Sequence, residues 1–190
     1  MIRIRHDNLL LSLCCVTDDL IKITNSPALR QLVDGLLEAK FKITHQGVLK
    51  EFLGMECGWK VDADGRKYFD VNQKKYLEKI LQRYDMQDCT TKDTPCNTSG
   101  KSWEVYMYPN PDPVEDNDPT RVSLYRSIVG ACIHPSVLTR PDMAYATSAL
   151  GQFLSNPTDQ HLSAAFRLLR YVKQTLHYSL KYYKSGKPGA

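Results

Sequence analysis

Two adjacent carboxylates, Asp18 and Asp19, lie between two runs of strand-forming residues in the segment LLLSLCCVTDDLIKITNSP, residues 9–27. Aspartate tolerates turn geometry and bonds nearby backbone amides, so a polar hairpin turn is one interpretation of the pair. A divalent-metal site is the other, because Mg²⁺ prefers oxygen ligands and is often bound by one or two carboxylates plus substrate phosphates. The pair alone does not decide between them.

The cysteines and histidines predict no competing site. Six cysteines occur at irregular spacings without a CxxC pair, and the five histidines do not cluster in the sequence. This pattern argues against a zinc site and against a Cys–His catalytic pair, and we expect reduced thiols.

Charge is unevenly distributed along the chain, although the net charge of +4 over 190 residues is mild. No acidic residue follows Asp159, whereas Arg167, Arg170 and Lys173 lie in the same C-terminal stretch. Residues 108–119, YPNPDPVEDNDP, are acidic and rich in proline. A basic C-terminal face could meet a phosphate backbone, and a solvated helix face is the plainer explanation.

Nothing in the sequence predicts membrane insertion or secretion. No apolar run approaches the roughly 18 residues typical of a membrane-spanning helix. The N-terminal MIRIRHDN is not followed by a signal-peptide cleavage pattern. We therefore expect an intracellular protein, cytoplasmic or nuclear, that is not secreted.

The elements that must position the aspartates are a hairpin and a helix. NLLLSLCCV reads as a buried strand and LIKIT as its alternating partner, with Asp18 and Asp19 at the turn. Ser26 followed by Pro27 predicts a helix start, and leucines at helical spacing extend that helix to about Lys40.

A second hairpin and helix follow. VLKEFLGMECGWKV and KYFDV are strand-like and flank the turn DADGR, and QKKYLEKILQRYDM predicts a helix with Asn72 as its cap. Residues 88 to about 118 are polar and predict a linker.

Three helices are predicted in the second half: VSLYRSIVGACIHPSVL, TRPDMAYATSALGQFLS, and a segment from Thr158 to about 178. In the last of these we expect Thr158 as the cap and Arg167, Arg170 and Lys173 largely exposed. The order of elements predicts an α+β fold.

Five blocks in this order resemble the reverse transcriptase of copia-type LTR retrotransposons. VTDDLIKITNS resembles the Y-V-D-D-L block, and FKITHQGVLKEFLGMEC resembles the block that leads into the primer grip. DVNQKKYLEKILQRYDMQD and TKDTP are similar to the two blocks that follow. The longest match is residues 124–182, which contain LYRSIVG, TRPDMAYATSAL and HLSAAFRLLRYVKQT.

The resemblance implies a piece of a retrotransposon polyprotein. Residues 1–87 would be a partial polymerase palm with the primer-grip region, and 88–119 an acidic, proline-rich linker. Residues 120–190 would be a helical thumb or connection region that ends before a ribonuclease H domain. The expected fold is therefore α+β, a partial palm with two β-hairpins and packed helices followed by a helical region.

The resemblance also implies the site and its partners. Asp18 and Asp19 match the metal-binding acids of a polymerase that uses Mg²⁺, with Mn²⁺ as a substitute, on an RNA template and a DNA primer. Phe52, Leu53, Gly54 and Met55 match the primer-grip region. Lys42, like the basic residues of the last helix, is a candidate phosphate contact, with ordinary exposed lysine as the plainer explanation.

The chain departs from the family pattern at several places that bear on activity, among them His45, Gln46 and Gly47 in place of D-L-G and Gln174 and Thr175 in place of G-T. Val16 stands where the family has tyrosine, and the other catalytic aspartate belongs to an earlier palm strand that the chain lacks. We therefore expect an RNA-directed DNA polymerase fragment that is inactive alone and needs the missing palm and ribonuclease H regions. The alternatives are a non-enzymatic relic, or a helical module with weak nucleic-acid binding.

Arg140, Pro141 and Asp142 are expected to have a structural role at a helix start.

Overall fold

A computed structural model describes residues 2–6, 9–16, 19–97 and 118–183. The chain divides into two compact units, Met1–Phe52 and Leu53–Ala190. The described residues form small antiparallel sheets and five α-helices, which confirms the predicted α+β class. No helix in these residues is both long and apolar enough to cross a membrane.

The first unit contains a three-stranded antiparallel sheet, one helix and a short terminal strand. Strands β1 (Ile2–His6), β2 (Leu9–Val16) and β3 (Asp19–Thr24) pair in that order, and the two-residue strand β4 (Glu51–Phe52) ends the unit. Helix α1 (Pro27–Glu38) begins as predicted, because the Ser26 hydroxyl accepts a 3.3 Å hydrogen bond from the Leu29 amide.

The sheet of the second unit includes a strand that the sequence did not predict. Strands β5 (Met55–Val61) and β6 (Lys67–Asn72) form the predicted hairpin, with Gly65 at a positive φ of 76° in its turn. Strand β7 (Leu180–Tyr183) then pairs antiparallel with β6. The sequence predicted only helices after residue 120, so this strand, which follows the last predicted helix, was missed.

Four helices build the core of the second unit: α2 (Lys74–Arg83), α3 (Pro119–Leu138), α4 (Ala144–Gly151) and α5 (Asp159–Gln174). A 3₁₀ turn (Pro141–Met143) precedes α4. Their apolar faces meet in one buried cluster that includes Leu77, Tyr125, Leu150 and Leu168. The N-cap of α2 is Gln73 rather than Asn72, but the Asn72 side chain still accepts from the Lys74 amide at 3.1 Å.

Helix α5 has the predicted start and an earlier end. Thr158 and His161 form a capping box, in which the Thr158 amide donates to His161 Nδ1 at 3.0 Å and the His161 amide donates to Thr158 Oγ1 at 3.2 Å. The helix ends at Gln174, not near 178, because Thr175 leaves helical geometry and donates its hydroxyl to the Tyr171 carbonyl.

Candidate functional site

Asp19 occupies a defined position in the first sheet. Strands β2 and β3 are joined by two residues, and Asp19 is the first residue of β3, directly opposite Val16. Its side chain is exposed. Asp18, the other predicted metal ligand, lies outside the described residues, so the structure places only one acid of the pair.

The two faces of this sheet differ, and Asp19 lies on the face away from α1. Lys22 of β3 forms an ion pair with Asp34 of α1, so even-numbered residues of β3 face the helix. Asp19, Ile21 and Ile23 alternate with them and therefore lie on the opposite face. Ile23 is 59% exposed, which shows that this second face is open.

An ion pair between Lys22 of β3 and Asp34 of α1 joins the helix to the sheet. Burial, with a further contribution from the nearby Arg30, lowers the pKa of Lys22 below its ordinary value. Asp34 supplies the opposite charge and also lies 3.9 Å from the Arg30 guanidinium. The pair fixes the helix over one face of the sheet and leaves the Asp19 face uncovered.

The apolar surface of the first unit is largely unburied. Leu11 is the one hydrophobic side chain described in it that is fully buried, at 6% exposure. Leu32 and Leu36 of α1 are 60% and 61% exposed, and Leu9 and Leu20 also remain exposed. A three-stranded sheet with one helix therefore shows a large apolar area that a complete domain would cover.

The donor chemistry of Asp19 fits a hard cation, but the number of donors falls short of a complete site. An exposed carboxylate at a strand end is the kind of oxygen ligand that Mg²⁺ takes. Within the residues that the structure describes, no group of three His, Cys, Asp or Glu side chains could enclose a metal ion. A metal ion bound at Asp19 would therefore need further ligands.

The predicted primer-grip residues form a tight turn rather than a continuous strand. Phe52 ends β4, Met55 begins β5, and the two residues between them have left-handed backbones, with φ of 52° at Leu53 and 71° at Gly54. Type I′ hairpin turns need positive φ at both central residues and favour Asn-Gly or Gly-Gly. Leucine is a poor choice for this conformation, yet Leu53 is there and 40% exposed.

The predicted basic face is less free than expected. Lys42 is exposed, but Arg167, Arg170 and Lys173 are each half-buried, so the prediction that they would be largely exposed was wrong. Arg167 donates to Thr94 Oγ1 at 2.8 Å, and Lys173 donates to the Cys89 carbonyl at 2.6 Å. These two cations hold the segment after α2 against α5.

The Arg140–Asp142 pair forms a partly buried network, in line with its expected structural role. Arg140 is 1% exposed, and its Nε and Nη2 donate to the Asp142 carboxylate at 3.0 and 2.7 Å. Tyr171 donates to the same carboxylate at 2.7 Å, and Arg140 also reaches the Thr175 carbonyl at 3.2 Å. The network therefore ties the start of α4 to the end of α5.

The network shifts the pKa values of Asp142 and Tyr171 in opposite directions. Burial opposes ionisation of Asp142, but the hydrogen bonds from Arg140 and Tyr171 outweigh it and lower the pKa of that carboxyl. Burial, together with the hydrogen bond to Asp142, raises the pKa of Tyr171 to about 12. Both shifts favour the charged carboxylate and the neutral phenol.

A buried carboxylate, Asp70, stabilises the sheet of the second unit. It is 2% exposed and accepts from Lys60 Nζ at 2.7 Å, Asn72 Nδ2 at 3.0 Å and Ser179 Oγ at 2.6 Å. Burial would raise its pKa, but these hydrogen bonds, with that from Lys60 the largest, lower it. Three side chains donate hydrogen bonds to this one carboxylate, so Asp70 has a structural role.

Comparison with known proteins shows which class of protein the chain resembles. The chain is homologous to stretches of retrovirus-related Pol polyproteins from transposons, which supports an origin in a transposon polyprotein. No family model matches the chain, and no solved structure matches it.

Three relatives show the extent of the similarity. The retrovirus-related Pol polyprotein from transposon TNT 1-94 of Nicotiana tabacum is 29% identical over 173 residues, 91% of this chain. The polyprotein from transposon RE1 of Arabidopsis thaliana is 31% identical over 163 residues, and the uncharacterized mitochondrial protein AtMg00810 of the same plant is 32% identical over 171 residues. The chain spans 12%, 10% and 64% of the lengths of these three proteins respectively.

Proposed function

We propose that the chain is part of a retrotransposon reverse transcriptase: the C-terminal portion of the polymerase palm followed by the thumb and connection region. In the complete enzyme, Asp18 and Asp19 would supply two of the acids that hold the catalytic metal ions. RNA template and DNA primer would be its partners. Residues 1–190 alone would not extend a primer, because a further acid and its strand must come from the rest of the polyprotein.

The observation that carries this proposal is the position of Asp19. A two-residue connection joins β2 and β3, and Asp19 follows it on the sheet face that α1 leaves open. A carboxylate at the tip of a hairpin, on an uncovered face, is accessible to a metal ion and to a polymer lying across the sheet. A buried or helix-facing Asp19 would not allow this.

The exposed apolar surface of the first unit supports the same proposal. Leu32, Leu36 and Ile23 are each about three-fifths exposed, on the helix and on the sheet. Exposed apolar area of this extent is typical of a surface that another part of a protein covers. The missing strands of a palm would be such a part.

The strained turn at Leu53 supports a contact with nucleic acid in the adjoining region. A left-handed conformation costs a non-glycine residue about 1–2 kcal/mol, and such strain persists mainly where function requires it. The turn presents an exposed leucine where glycine or asparagine would be more stable. We propose that this turn contacts the primer strand through Phe52, Leu53, Gly54 and Met55.

In the complete enzyme the bound Mg²⁺ ions would neutralise the charge that develops on the phosphoryl group being transferred. The part of this chain is to hold carboxylate oxygens at a fixed point of the sheet. Asp19 does so through the β2–β3 register, since each of the six pairs between these strands fixes the next.

Iron-directed cleavage tests the metal ligands directly. Ferrous iron replaces Mg²⁺ at oxygen sites, so with ascorbate and peroxide it should cut the backbone near residues 16–20 when the chain is fused to the polyprotein segment that supplies the further acid. The double variant Asp18→Asn/Asp19→Asn should lose that cut, while Glu38→Gln, a carboxylate of the same unit on the exposed end of α1, should keep it. Equal cleavage in both variants, or none near the hairpin in the parent, would contradict the proposal.

A further inference from the structure

Three aromatic side chains form one row across the second sheet. The register pairs Trp59 of β5 with Phe69 of β6, and Phe69 with Tyr182 of β7. Directly paired residues project from the same face of an antiparallel sheet, so the three rings lie side by side on adjacent strands, about 5 Å apart per strand. The Trp59 and Phe69 rings meet edge to face at 5.3 Å between centroids.

This row lies on the open face of the sheet. The alternate residues Tyr68 and Asp70 are buried at 8% and 2% exposure, so the opposite face is covered. In contrast, Trp59 is 65% exposed and Tyr182 is 58% exposed. Single exposed aromatic rings are ordinary, but a contiguous exposed row of them is typical of a binding surface.

The charge on the open face is cationic. By register, the residues that share it are Cys57, Trp59, Val61, Lys67, Phe69, Val71, Leu180 and Tyr182. Lys67 is the one charged residue among them, and it lies next to the aromatic row, opposite Val61. The carboxylates of these strands, Glu56 and Asp70, belong to the other face.

We infer that this face binds a single strand of nucleic acid, with two or three bases stacked on the aromatic row and Lys67 beside the phosphate backbone. Every base offers a π-face, and stacking on an exposed ring contributes about 1–3 kcal/mol per base without sequence preference. Aromatic rings on neighbouring strands of a sheet are a known way to bind two or three bases. A cation without a competing carboxylate complements the polyanion.

The inference deepens the proposed function, since it rests on that function for the choice of polymer and assigns the polymer a surface distinct from the Asp19 hairpin. A protein partner is the competing occupant of an apolar face. It would use the same rings but would not give a salt-dependent affinity for an oligonucleotide.

Tryptophan fluorescence reports on the row directly. The chain has two tryptophans, so Trp103→Phe leaves Trp59 as the single reporter. Titration of this protein with oligo(dT) or oligo(U) should quench Trp59 emission, because bases that stack on indole quench it. The affinity should fall steeply with added salt and should differ little between the two sequences.

Two neighbouring tyrosines provide a matched pair of variants. Tyr182→Leu removes one end of the row and should weaken binding about tenfold, from the stacking energy of one base. Tyr183→Leu changes the next residue, which lies on the opposite face and packs against Tyr68, and should leave the affinity unchanged. Both variants should first be compared with the parent by circular dichroism, so that a loss of fold is recognised.

A lysine variant tests the phosphate contact. Lys67→Gln should reduce the slope of log affinity against log salt by about 1, whereas Lys74→Gln, on α2, should not change it. The inference is overturned by absence of quenching, by equal affinities of the Tyr182 and Tyr183 variants, or by a Trp59 signal that depends on protein concentration alone. The last result would indicate self-association. Quenching without iron cleavage at the hairpin would instead contradict the proposed metal site and leave this surface in place.

Discussion

The hydroxyl of Tyr76 on α2 donates a 3.2 Å hydrogen bond to the main-chain oxygen of Ala131 on α3. Four residues further on, Pro135 lies inside α3 and has no N–H to donate to that oxygen. Ala131 is buried, so its carbonyl would lack this partner without Tyr76. The tyrosine thus offsets the proline and joins two helices of the core.

This relationship predicts coupling between Tyr76 and Pro135. Tyr76→Phe should lower the free energy of unfolding by about 1–3 kcal/mol, because a buried acceptor is left unsatisfied. In a Pro135→Ala background the new N–H can bond the carbonyl, so the same change should cost less. Chemical denaturation followed by circular dichroism measures all four proteins. Tyr84→Phe is the control, since Tyr84 bonds Ser127 at an exposed site and should cost the same in both backgrounds.

Removing the charge of Arg140 should be far more damaging than removing an exposed one. Arg140→Gln removes the cation from the Asp142 carboxylate, whose side chain is 29% exposed, and hydrogen bonds to a charged group contribute about 1.5–3 kcal/mol. Arg66→Gln breaks ion pairs with Asp62 and Asp64 at a side chain that is 65% exposed, and should cost less than about 1 kcal/mol. The denaturation midpoints of the two variants check this expectation. Similar losses of unfolding free energy would show that the Arg140 network stabilises the fold no more than an exposed ion pair.

Stability should fall in acid because of Asp70 and Asp142. Both carboxyls have a pKa lowered in the folded state, so the unfolded chain binds protons first as the pH falls. The stabilisation is complete above the unfolded aspartate pKa of about 4 and is lost as the pH falls through the lower folded values. Denaturation at a series of pH values from 7 to 3 should show the decline, with a smaller decline in Asp70→Asn/Asp142→Asn. A parent protein equally stable at pH 3 and pH 6 would contradict this assignment.

Replacing Leu53 by glycine should separate stability from function. Glycine adopts the positive φ of 52° without steric cost, so Leu53→Gly should raise the free energy of unfolding by about 1 kcal/mol, less the entropy that glycine adds to the unfolded chain. Lys50→Gly, where the backbone is not left-handed, should lower it. If the turn bears on the primer strand, the more stable variant should also bind a primer–template less tightly. A Leu53→Gly protein that is less stable than the parent would argue against strain at this turn.

Local signals in the sequence predicted the elements whose cause is local. The Ser26 and Thr158 caps, the Gly65 turn and the apolar stripes of α2 and α5 depend on residues a few positions apart, and the structure contains all of them. The α+β class follows from their order.

Features that depend on distant partners were not predictable in the same way. Strand β7 has four residues and pairs with β6 more than one hundred positions earlier, so its short sequence gives no strong pattern. Arg167 and Lys173 are half-buried because they bond Thr94 and Cys89, which lie 73 and 84 positions away. Charged residues are usually exposed, and the burial of Arg140 likewise needed the fold to reveal its partners.

At the candidate site the sequence predicted the hairpin and the place of Asp19 next to its turn. It did not predict that the FLGM segment would form a left-handed turn, because leucine is unfavourable there. The aromatic row was also missed. Trp59, Phe69 and Tyr182 are adjacent only through strand register, and Tyr182 belongs to the strand that the sequence did not reveal.

If residues 1–190 complete a polymerase when joined to the strands they lack, as proposed, primer extension by a fusion protein should show this most directly. The segment that precedes the aligned region in the tobacco Pol polyprotein would be fused to Met1, and extension measured with Mg²⁺ or Mn²⁺. We predict extension by the fusion, none by residues 1–190 alone, and loss in the fusion carrying Asp18→Asn/Asp19→Asn but not in one carrying Glu38→Gln. A folded, soluble fusion that does not extend the primer, or extension that survives the double substitution, would contradict the proposed polymerase function.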